Sequence, residues 1–193
     1  MIISHKHKYI FIKCMKTAGT SIQVALAEQC GPNDIISSIG NIKGFAPQNE
    51  CAGCNPHATP KDIKALAGEV VWNSYLKIIG VRNPWDLMVS WWHWHLKPCG
   101  FTEFVKKELK VFDNFLLTDQ LFDFYIRFEH LQEDFDKVCN HLKLPKTELP
   151  HLLNFRKAAK HYSTYYTPEL VELVNEHYRD LIDYFGYEFE KPI

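Results

Sequence analysis

Three times along this chain a short apolar run is followed by a polar turn and then by a helical stretch, and this recurrence restricts the fold more than any other feature. Tyr9-Ile10-Phe11-Ile12 reads as a buried strand, Gly19 follows, and Ile22, Val24, Ala25 and Leu26 belong to a helix that ends near Gly31. Leu76 to Val81 reads as a second strand. Asn83 as N-cap, Pro84 at the first helical position and Asp86 in the first turn then open a helix running to about Leu96. Phe122 to Ile126 reads as a third strand, with a helix after it to about Leu142. Such units predict an α/β fold: one domain over residues 1–193, with a mainly parallel central sheet flanked by helices. In such sheets ligands sit beyond the carboxyl ends of the strands, so the polar residues after each strand are the ones that carry function.

Between these units the pattern is weaker. Residues 31–59 read as a long loop, and a short helix is expected over Pro60–Ala67. Residues 143–166 read as mostly irregular. Thr167-Pro168 caps a last helix whose apolar positions are Leu170, Val171, Val174, Leu181 and Ile182, and Gly186 ends it. His5-Lys6-His7-Lys8 reads as a solvated lead-in to the first strand.

The first polar turn is Lys13-Cys14-Met15-Lys16-Thr17-Ala18-Gly19-Thr20-Ser21. Small residues let the backbone approach a ligand, and the helix that begins here turns its free N–H groups and positive dipole end toward the same point. Lys16 and the hydroxyls of Thr17, Thr20 and Ser21 add donors, so the segment reads as a phosphate nest. The same residues also fit an ordinary strand-to-helix turn with a surface lysine. The loop is not the nucleotide-hydrolase type, in which Lys follows the second of two glycines, because Lys16 precedes the single Gly19.

After the second strand, Arg82 can pair bidentately with a phosphate, and Ser90, eight residues on, can donate from the adjoining helix. A capped helix with an exposed arginine is the alternative. With these residues in view, the chain resembles the P-loop sulfotransferases that use 3′-phosphoadenosine 5′-phosphosulfate (PAPS), nearest the carbohydrate-type and bacterial members. KTAGTS resembles their 5′-phosphosulfate loop and VRNPWDLMVSWW their 3′-phosphate motif. The likeness continues through RFEHLQEDFDKVCNHLKLP and YYTPELVELVNEHYRDLIDYFGYEF.

The resemblance implies sulfuryl transfer from PAPS to a hydroxyl acceptor, a small molecule or glycan, without a metal. It assigns Lys16 to the bridging oxygen of the donor, Thr17, Ala18, Gly19, Thr20 and Ser21 to the 5′-phosphate cradle, and Arg82 and Ser90 to the 3′-phosphate. Arg156 corresponds to a basic loop that closes over the nucleotide in some relatives. Met15 stands where many relatives have Pro, and Leu87 where many have Arg.

Transfer to an alcohol needs a proton acceptor, and His57, in Asn55-Pro56-His57-Ala58-Thr59-Pro60, is the leading base, with His93 and His95 behind it. A rival use of the same residue is zinc binding by Cys51, Cys54 and His57, which would tie up the imidazole. Trp91, Trp92 and Trp94 read mainly as packing, and Arg127 as an ion-pairing residue beside Glu129. An ATP–Mg²⁺ kinase and a non-catalytic nucleotide- or zinc-binding module are the competing functions. The 22 basic and 23 acidic side chains give a net charge of −1, which argues against a nucleic-acid partner. The first residues have no long apolar run, so the expectation is a soluble, cytoplasmic chain without a membrane span, its six cysteines reduced.

Overall fold

In the computed structural model of the protein, the described residues are 1–39, 42, 49–96, 99–109, 122–152 and 160–190. In chain order the elements are β1 (Ile2–Ser4), β2 (Tyr9–Ile12), α1 (Gly19–Ala27), β3 (Ile35–Ser37), β4 (Glu50–Cys51), α2 (Pro60–Ala67), α3 (Glu69–Ser74), β5 (Leu76–Val81), α4 (Pro84–Trp94), α5 (Phe101–Glu108), β6 (Phe124–Arg127), α6 (Leu131–Leu142), α7 (Pro168–His177) and α8 (Arg179–Phe185). They fall into two compact units, residues 1–81 with 121–153, and residues 82–120 with 154–193.

The first unit holds one sheet with strand order β4-β3-β1-β2-β5-β6. β2, β5 and β6 are parallel neighbours, Phe11 standing opposite Ile78 and Ile79 opposite Tyr125. β2 and β5 stand where the sequence places them, and the third expected strand, Phe122 to Ile126, is found as β6 over Phe124–Arg127. The sheet as a whole is mixed rather than mainly parallel, because β1 runs antiparallel to both β2 and β3. The physical reason is the turn at His5–Lys8. Lys8 adopts φ 56°, and His5 N–H and Lys6 N–H both donate to Asp34 Oδ1, at 2.7 and 3.0 Å. The residues expected as a lead-in therefore fold Ile2–Ser4 back onto β2. β3 and β4 lie in the stretch expected as a loop, too short to show an alternating pattern.

β2 is fully buried at all four residues, which is why it reads as a continuous apolar run. Tyr9 and Phe11 join Ile22, Ala25 and Leu26 of α1, Ile78, Ile126, and Phe135 and Val138 of α6 in one core. That packing fixes the direction in which α1 leaves the loop after β2. At the end of β6, Arg127 grips Asp134 through Nε and Nη2, at 2.7 and 2.9 Å. Burial would raise the Asp134 pKa, but its bonds to Arg127 and Lys137 prevail and hold it down to about 2.

The second unit is helical and rich in aromatic contacts. Asn83 Oδ1 accepts from Trp85 N–H and Asp86 N–H, at 3.0 and 3.2 Å, and so caps α4 as expected. Tyr166 O–H donates to the Trp85 carbonyl at 2.8 Å, and Phe101 packs edge-on against Tyr166 and Trp92. Thr167 caps α7. The expected single last helix is two, α7 and α8, with Tyr178 between them.

Candidate functional site

The turn after β2 is built for close approach of its own parts. Thr17 is 2% exposed, and its hydroxyl donates to the Cys14 carbonyl at 3.1 Å. It lies directly over Gly80 of β5: a Cβ there would stand 2.7 Å from Thr17 Oγ1. Gly80 thus lets the loop settle on the neighbouring strand. Lys16 and Ala18 both take left-handed backbone, at φ 62° and 59°. Each such non-glycine residue costs about 1–3 kcal/mol, a strain that collects at ligand clamps.

Ala18 is the N-cap of α1 and supplies no side-chain bond to the helix N–H groups. Among the described residues no side chain caps the first turn of α1, and Lys13, Lys16 and Thr20 are close by in sequence. The three hydroxyls expected as donors divide. That of Thr17 is committed to Cys14, and that of Ser21 accepts from Leu152 N–H at 3.4 Å, while Thr20 is half-buried and only partly exposed. The thiol of Cys14 is pushed up to about 12 by burial, which makes it inert.

His57 joins this loop directly. Its Nδ1 lies 2.9 Å from the carbonyl oxygen of Lys13. A carbonyl only accepts, so Nδ1 carries the hydrogen, and in the neutral ring Nε2 keeps its lone pair. Burial is the main influence that lowers its pKa below 6.5. The bond to the Lys13 carbonyl works the other way, and the charges of Lys13 and Lys16 add to the lowering. The ring is therefore neutral at pH 7, with one nitrogen able to take a proton. The chain around it is held in place: His57 N–H donates to Asn55 Oδ1 at 2.9 Å, and Thr59 and Asp62 form a reciprocal cap at the start of α2.

The zinc alternative is corrected here. Cys51 and Cys54 are joined to each other in a disulfide, so neither is an available thiolate ligand, and the expectation of six reduced cysteines fails at this pair. Cys14, Cys30, Cys99 and Cys139 are free. Among the described residues no group of three His, Cys, Asp or Glu side chains is arranged to hold a metal.

In the second unit, Arg82 is 6% exposed rather than a surface arginine, and its Nε donates to Asp86 Oδ2 at 2.8 Å. Asp86, expected only as a first-turn acid, thus orients the guanidinium. Ser90 is 8% exposed on α4. His93 is buried, its Nδ1 donating to the Val89 carbonyl at 2.8 Å, and His95 packs on Trp91 and Trp94. Arg127 pairs with Asp134. Arg156 lies outside the described residues.

The residue that sequence reasoning missed is Lys13. It is 6% exposed, directly after β2, and burial brings its pKa down to about 8. Its place between strand and loop was visible, but lysines are so regularly exposed that nothing in the sequence marks a buried one.

No family model matches this chain, and no curated protein or solved structure does either. Among the described residues no helix is long and apolar enough to cross a membrane.

Proposed function

We propose that the protein is a P-loop-like sulfotransferase that moves a sulfuryl group from PAPS to a hydroxyl, with a carbohydrate as the leading acceptor class. The observation that carries this reading is the 2.9 Å bond between His57 Nδ1 and the Lys13 carbonyl. It joins a proton acceptor of defined tautomer to the loop that would hold the donor's anionic end. Ala18, an N-cap that offers the α1 N–H groups no side-chain bond, and the left-handed Lys16 and Ala18 backbone support the loop as an anion cradle.

In this reading the acceptor oxygen attacks sulfur in line, and its proton passes to His57 Nε2. The bond between sulfur and the bridging oxygen breaks, and adenosine 3′,5′-bisphosphate leaves with the electron pair. Lys16 meets the charge that grows on that oxygen, as positioned cations do in phosphoryl transfer. Arg82 and Ser90 would hold the 3′-phosphate. Nearly complete burial of both, and the Asp86 contact that orients Arg82, suit a fixed recognition pair better than solvated side chains.

Kinetics of two variants test the assignment. Loss of Lys16 should slow turnover more than it weakens PAPS binding, because its contact strengthens in the transition state. His57→Ala should leave adenosine 3′,5′-bisphosphate affinity nearly intact and cut the rate by roughly 100-fold or more. Full turnover in a folded His57→Ala protein would remove His57 as the base.

A further inference from the structure

The Lys13 side chain is 6% exposed, and among the described residues its ammonium has no hydrogen-bond or ion-pair partner. Its stem crosses the first residue of α1. A Cβ on Gly19 would lie 2.7 Å from Lys13 Cγ and 3.6 Å from Cδ. The stem is buried while the ammonium is not among the fully buried polar atoms, so an entering anion can reach it, and methionine would fill similar space without the charge. The amine therefore has its use outside the polypeptide, at the helix N-terminus over which the stem runs.

We infer that Lys13 is a second cation of the loop, binding an oxyanion at the N-terminus of α1 and taking up a proton as that anion enters. This rests on the reading of the loop as an anion site and deepens it. The Met1 amino group beside β1 and His57 ahead of α2 both feel the Lys13 charge, and the neighbouring Cys14 thiol, pushed up to about 12 by burial, stays neutral. The Met1 amino group is lowered to about 4, chiefly by burial, and His57 lies below 6.5, so neither changes charge near pH 8. Lys13, at about 8, does. An anion beside it favours the charged form and raises that value, so binding draws in a proton. The sign follows: affinity is full below pH 8 and declines as pH rises through it.

The test is calorimetric titration at pH 8, in EDTA, in two buffers of different ionisation heat. The probes are inorganic sulfate, which does not titrate in this range, and adenosine 3′,5′-bisphosphate. We expect uptake approaching about half a proton per ligand, because the free amine is then about half ionised. Between pH 7 and pH 9 sulfate affinity should fall about tenfold, following the charged fraction. Lys13→Met should weaken binding at pH 7 and abolish the uptake.

A pH-independent affinity with no proton exchange in the wild-type protein, or uptake that persists in Lys13→Met, overturns the inference. The wild-type uptake decides even where the variant fails to fold. Sulfate that behaves as expected, beside a bisphosphate that binds no better than AMP, sinks the PAPS reading and leaves Lys13 standing. Tight bisphosphate binding without proton uptake does the reverse. Absence of binding by both probes removes both.

Discussion

At His57 one hydrogen bond decides which nitrogen is available, and burial, which lowers the pKa, sets the acid limb of the proposed reaction. The folded-state pKa lies below 6.5, so the base stays active at pH 7 and loses activity only as pH falls through a value under 6.5. A rate profile at saturating PAPS should show this, and an acid limb above pH 7 would contradict it. The buried Thr17 makes a second demand. Gly80→Ala should cost about 1–3 kcal/mol, because its Cβ would meet Thr17 Oγ1 at 2.7 Å. Thr17→Ala in the same chain should recover part of that loss, read from denaturant unfolding; full additivity of the two changes would show that they do not touch. The sequence singles out Lys16, Gly19, Arg82 and His57 because each stands at a strand end or in a loop between the motifs. It gave Thr17 as a ligand donor, whereas its hydroxyl is turned to Cys14. Whether a hydroxyl faces a ligand or a carbonyl depends on the backbone at Lys16 and Ala18, and residue type does not encode that.

Among elements, legibility followed length and burial. β2 and β5 appear at the residues expected, since strands buried on both faces leave unbroken apolar runs. β1, β3 and β4 have three residues or fewer and left no such trace, and with β1 went the antiparallel half of the sheet. The Asn83 and Thr167 caps were readable because their chemistry is local. The Cys51–Cys54 bridge, which anchors the segment leading to His57 at the end of β4, was not, because pairing depends on geometry that only the fold supplies. Thiol titration in denaturant without reductant should find four reactive groups out of six, and six would contradict the bridge. So small a closed loop should contribute no more than about 2 kcal/mol of stability. At the junction of β6 and α6, the Asp134 pKa of about 2 lies below its unfolded value. Its contribution to stability is complete above that unfolded value and is lost as pH falls through about 2. Arg127→Ala should shift that loss toward higher pH, as followed by acid unfolding.

For the molecule as a whole, the proposed function turns on one ligand, adenosine 3′,5′-bisphosphate. A ligand that binds only the native protein raises its stability, by about 2.7 kcal/mol at 100 times Kd. For a chain of this size that is a rise in Tm on the order of 5–10 °C. The most direct measurement compares adenosine 3′,5′-bisphosphate with AMP in thermal unfolding, at equal concentration and in EDTA. A clear rise is expected with the bisphosphate and much less with AMP, which lacks the group assigned to Arg82 and Ser90. Equal shifts from the two nucleotides, or a shift that appears only when Mg²⁺ and ATP are added, would contradict the proposed function.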